Sequence, residues 1–75
     1  MNLSRDSFTI DELQDLVDGW IDVVPVVGGV LVFDADGKEK DKYMNFEATR
    51  ILREAGIDDY IAGVAVFCPE GSIVN

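Results

Sequence analysis

Four aspartates, Asp11, Asp15, Asp18 and Asp22, recur at intervals of four, three and four residues. On one continuous helix they would form an acidic stripe with a carboxylate at every turn, ~5.4 Å apart. Such a stripe could imitate part of a phosphate backbone and occupy the basic groove of a nucleic-acid-handling protein. The plain alternative is a solvated helix face, with Asp22 beyond the helix end. A second set is Asn45, Arg50, Trp20 and Tyr60. Arg50 and Arg53 have helical spacing and could hold a phosphate beside Asn45 at a helix start, with Trp20, Tyr43 and Tyr60 lining a pocket for a nucleotide-like ligand. The alternative pairs these arginines with Glu47 and Glu54 on the surface and places Trp20 in the core.

Three further motifs carry less. Asp34-Ala35-Asp36-Gly37 has the look of a calcium loop, but Gly37 comes at the fourth position rather than the sixth, and Asp41 and Glu47 are poorly spaced for the remaining ligands. An aspartate-capped turn is the better reading. Gly28-Gly29 lacks the following helix and the lysine of a phosphate-binding loop, so it reads as a hairpin turn. Cys68 ends an apolar run and reads as a small buried hydrophobe rather than a nucleophile. With no histidine in the chain, Ser-His-Asp and Cys-His catalysis are excluded. No metal set, cofactor motif or base–nucleophile pair is visible, so a non-enzymatic role is expected, without a cofactor.

These residues need elements to position them. Thr9 and Glu12 form a capping box, flanked by Phe8 and Leu13 at the staple positions, and predict a short helix over residues 10–17 that leaves through Gly19. Residues 20–27 and 30–33 are rich in β-branched side chains around Gly28-Gly29, which predicts a β-hairpin with Pro25 on an edge. Residues 38–43 are charged and read as loop or short edge strand. Asn45 caps a second helix from Phe46 to Ala55, with Phe46, Ile51, Leu52 and Ala55 inward and Gly56 at its exit. Residues 60–68 form a continuous apolar run, expected as a central strand, and residues 72–74 return as a brief edge.

At this level the chain resembles a small domain of unknown function found in phages, plasmids, actinobacteria and archaea. The resemblance rests on Leu13-Gln14-Asp15-Leu16-Val17-Asp18-Gly19-Trp20-Ile21-Asp22, on the acidic turn Asp34–Lys38, on Asn45-Phe46-Glu47-Ala48-Thr49, and on Ile61-Ala62-Gly63-Val64-Ala65-Val66. It covers about residues 12–67, with Asp18 standing where that family usually has Gly. It implies an α+β fold and a mobile-element setting, and no established activity.

Composition sets the outer bounds. The chain has 75 residues, enough for one domain, 1–75, with residues 1–7 expected to be flexible. Fifteen acidic residues against six basic give a net charge of −9, which argues against direct nucleic-acid binding. It fits docking on a basic protein surface, or a protein of a salt-rich cytoplasm kept soluble by charge. The N-terminus lacks the apolar core of a signal peptide, and no apolar run approaches the ~20 residues of a membrane helix. A soluble cytoplasmic protein is expected. The fold expected is α+β, in the order α-β-β-α-β(-β), with a three- to four-stranded, mixed or antiparallel sheet and both helices on one face. If the last strand neighbours the hairpin, the crossover through the second helix would make it parallel. A homodimer would enlarge so small a core, with the monomer as the equal alternative.

Overall fold

A computed structural model of the chain describes residues 7–74. The stretch expected to be flexible lies outside these residues, apart from Ser7. In chain order the elements are β1 (Phe8–Thr9), α1 (Ile10–Val17), β2 (Ile21–Val26), β3 (Gly29–Asp34), α2 (Phe46–Glu54), β4 (Ala65–Pro69) and β5 (Ile73–Val74). The α+β class and the expected order of helices and strands are both observed, with β1 as an additional short strand.

The sheet is three-stranded, in the order β2-β3-β4. Both pairings are antiparallel, with Val23 opposite Val32 and Val32 opposite Val66. This corrects the expected parallel crossover. β4 starts beside the end of β3, Ala65 facing Phe33, so the long connection returns to the end of the sheet that it left. It also corrects the placing of the apolar run: β3 is central and β4 lies on an edge. A separate two-stranded parallel pair joins β1 to β5, with Phe8 opposite Ile73.

The expected placement of both helices on one face is also corrected. Side chains alternate across the central strand. Val30 and Val32 pack with Leu13, Val17, Phe8 and Cys68 under α1. Leu31 and Phe33 pack with Ala48, Leu52 and Ile61 under α2. The helices therefore cover opposite faces, and β3, apolar at both parities, is the layer between them. This gives a small chain two shallow clusters instead of one deep core.

Local signals explain the ends of the elements. The Thr9 hydroxyl accepts from the Glu12 N–H at 3.2 Å while the Glu12 carboxylate accepts from the Thr9 N–H at 3.1 Å, so the capping box forms as expected. The exit from α1 differs: Asp18, not Gly19, takes the left-handed conformation, with φ 61°. The hairpin turn also shifts by one residue. Val26 faces Gly29, so the loop is Val27-Gly28, and only Gly28 of the two has positive φ, at 86°. That is the pattern of a type II turn, with glycine at its third position. Gly29 is needed for another reason: a Cβ there would stand 2.2 Å from the Cys68 carbonyl oxygen.

Candidate functional site

Three groups of polar residues differ in how completely the fold satisfies them. The first centres on Asp34, the last residue of β3. By parity it follows Val30 and Val32 toward the α1 face, and it is 3% exposed. Its Oδ2 accepts from Lys42 at 2.7 Å and from Lys40 at 2.9 Å, and its Oδ1 accepts from the Asp36 N–H at 2.9 Å. The same two ammonium groups reach the end of α1: Lys42 Nζ donates to the Val17 carbonyl and Lys40 Nζ to the Asp18 carbonyl, each at 3.2 Å. α1 has no basic residue in its last turn. The loop lysines supply the positive charge that a helix C-terminus favours.

The Lys42 ammonium, then Lys40 and the Asp36 N–H, outweigh burial and hold the Asp34 carboxyl well below the usual carboxylate range. Asp34 in turn raises the Lys40 pKa. Gly19 is fitted to this cluster, because a Cβ there would meet Lys40 Nζ at 2.7 Å and Asp34 Oδ1 at 2.9 Å. Sequence reading found the aspartate-capped turn at Asp34 and missed the two lysines. The signal was the inward parity of Val30, Val32 and Asp34, followed by two lysines two residues apart.

The acidic stripe is the second group. Asp11, Asp15 and Asp18 are exposed on α1 and its cap. Asp22 is not part of that face. It lies on β2, with the parity of Val24, which packs under α2. Its carboxylate accepts from the Val23 N–H at 2.9 Å. The stripe is thus a three-carboxylate patch, ended by the left-handed turn at Asp18.

The second predicted constellation does not assemble. Asn45 is committed to the backbone: its Oδ1 accepts from the Ala48 N–H at 3.0 Å and its Nδ2 donates to the Gly63 carbonyl at 3.0 Å. Arg50 is exposed and stands 3.9 Å from Glu54. Trp20 is 73% exposed, against its expected place in the core; it falls between the α1 cap and β2, outside both clusters. Phe46, expected to face inward, is 79% exposed, because Ala48, Thr49 and Leu52 form the buried side of α2.

Tyr60 borders a cleft beside α2, of about 190 Å³, with Asp22, Phe33, Lys38 and Asp59, while Arg50 and Asn45 each line a different surface depression. There Lys38 bonds Asp59 and lies 4.2 Å from the Tyr60 ring centroid. The Lys38 ammonium, with the Tyr60 N–H, lowers the Asp59 pKa. The cleft's one cation is therefore already held by a carboxylate and a ring. Cys68 is buried as expected, and burial pushes its thiol pKa up, away from nucleophilic use.

No family model, curated protein or solved structure matches the chain. Function is therefore read from its own residues. Among the described residues no helix is long and apolar enough to cross a membrane.

Proposed function

We propose that the chain is a non-enzymatic binding protein that docks on a basic protein surface through Asp11, Asp15 and Asp18. One observation carries this reading: the distribution of the cations. Lys40 and Lys42 are spent on Asp34, Lys38 on Asp59, and Arg50 lies beside Glu54. Asp11 and Asp15 have no ion-pair partner among the described residues. Among the described residues, Asp11 and Asp15 thus leave negative charge unpaired on the outer side of α1, with Lys40 at its Asp18 end, in a chain of net charge −9. Such a surface attracts a positively charged partner at long range and suppresses encounter with acidic ones.

The test is retention of partners from cell lysate on the immobilised chain, at low and high salt, with mass spectrometry of the bound fraction. The expected result is a Lys- and Arg-rich protein, released by salt, and lost from a variant carrying Asp11→Asn, Asp15→Asn and Asp18→Asn. Unchanged retention by that variant would overturn the reading.

A further inference from the structure

The sheet has two edges, and the chain treats them differently. On β2, hydrogen-bonded pairing alternates along the ladder, and the N–H groups of Val23 and of residue 25 fall on the outer side. Neither is available: the Val23 N–H is taken by the Asp22 carboxylate at 2.9 Å, and residue 25 is a proline. These are devices that keep an edge from pairing.

β4 has no such device along its middle. The Glu70 N–H donates to the Gly28 carbonyl at 3.1 Å, so by the same alternation Cys68 and Val66 bond to β3. Ala65 and Phe67 direct their N–H and C=O groups outward and find no partner among the described residues. The side chains there are apolar, with Phe67 at 42% and Val64 at 54% exposure. Residues 61–69 contain no charged residue, in a chain with 21 charged ones, 6 basic and 15 acidic. Residues 61–63 of this run are covered, with Met44 bridged to Ala62 and the Gly63 N–H donating to the Tyr43 carbonyl. β4 itself has the composition of a strand enclosed on both sides, yet a single copy leaves it on the edge.

We infer that β4 pairs antiparallel with β4 of a second copy, about a two-fold axis at Val66, joining two three-stranded sheets into one of six strands. In that register Ala65 of each copy faces Phe67 of the other, and all four outward N–H and C=O groups of each copy are satisfied. Val64 falls opposite the partner's Cys68, so apolar side chains meet on both faces. A second copy is favoured over a charged partner because the facing stretch is uncharged. The inference does not rest on the acidic docking face, and salt separates the two: it weakens docking on a basic protein but strengthens self-association by screening like charge.

Sedimentation equilibrium of the full chain, from micromolar to millimolar concentration, reads the mass. A mass of twice 8.3 kDa is expected at high concentration. Ala65→Pro removes an outward N–H without touching the β3 ladder, and deletes two intermolecular hydrogen bonds per dimer. It should raise the dissociation constant about thirtyfold. Phe67→Lys, at an exposed side chain, should do the same by placing charge at the contact, and covers the case in which Ala65→Pro does not fold. Val66→Cys places two thiols across a non-hydrogen-bonded pair, where a disulfide fits. Under mild oxidation it should yield a covalent dimer that the wild type, with Cys68 buried, does not. A wild type that stays monomeric at millimolar concentration overturns the proposal. So does a dimer that neither Phe67→Lys nor Ala65→Pro weakens, or one that Val66→Cys fails to cross-link.

Discussion

The carboxylates at the C-terminal end of α1 and those along its outer side share one chemistry and opposite treatment. Asp34 is buried, and its oxygens are filled by two ammonium groups and a backbone N–H. Asp11 and Asp15 are exposed, with no ion-pair partner among the described residues. A fold that needs a charge inside must bring its counter-charges with it, because an unpaired buried ion costs several kcal/mol. A charge left outside costs little and remains available to a partner. Asp22 is intermediate, solvated yet closed on its own chain's Val23 N–H.

Replacing Asp34 should break this contrast most. Asp34→Ala leaves Lys40 and Lys42 without their acceptor and the end of α1 without a fixed positive charge. The lysines are 42% and 23% exposed and can turn to water. The cost therefore falls below that of breaking a fully buried pair, at about 2–3 kcal/mol. Urea unfolding of the variant should show it as a lowered midpoint with an unchanged slope. That loss is a large share of the ~5–15 kcal/mol that holds a small domain together.

Gly19→Ala probes the same cluster from the backbone side. Its Cβ would crowd Lys40 Nζ, which can swing away, and Asp34 Oδ1, which is held. A loss of about 1 kcal/mol is expected, at the low end of overpacking costs. If Asp34→Ala and Gly19→Ala add without coupling, the cluster is not the reason for glycine there.

Acid should protonate the buried Asp34 carboxyl only well below the usual carboxylate range, and matter most there. The folded-state pKa of Asp34 is depressed, so its contribution is complete above the unfolded value, ~3.9. That contribution falls as pH drops from there toward the lower folded value. The melting temperature should decline below about pH 4, and Asp34→Asn should flatten that decline. An equally steep acid limb in Asp34→Asn would assign the loss to other carboxylates.

The comparison also shows what the residues alone could reveal. The starts of α1 and α2 were legible because Thr9, Glu12 and Asn45 act on backbone groups within three residues. The hairpin was legible to within one residue for the same reason. The strand order, the opposite faces of the helices and the Asp34–Lys42 bond depend on contacts between distant segments, and local pattern is silent there. Residues 60–68 misled because an apolar run tells of apolar neighbours, not of its place in the strand order. Trp20 misled because it falls between elements, where no parity assigns a side, and Phe46 because α2 turns its buried side to Ala48, Thr49 and Leu52, away from Phe46.

The smallest effect sharpens the contrast from its other pole. Asp11→Asn and Asp15→Asn remove two exposed charges with no ion-pair partner among the described residues, so stability should change by no more than about 0.5 kcal/mol. The sign should be favourable for Asp15→Asn, because the chain carries a net −9 and neutralisation relieves repulsion, whereas for Asp11→Asn the loss of a negative charge from the first turn of α1 opposes that gain. Thermal unfolding at low and at high salt checks this. The stabilisation should shrink as salt screens the remaining carboxylates, whereas the loss in Asp34→Ala should persist, because its bonds are short, directional and shielded from solvent. If both vanish in salt, Asp34 acts through long-range charge and the difference between the two regions is only one of degree.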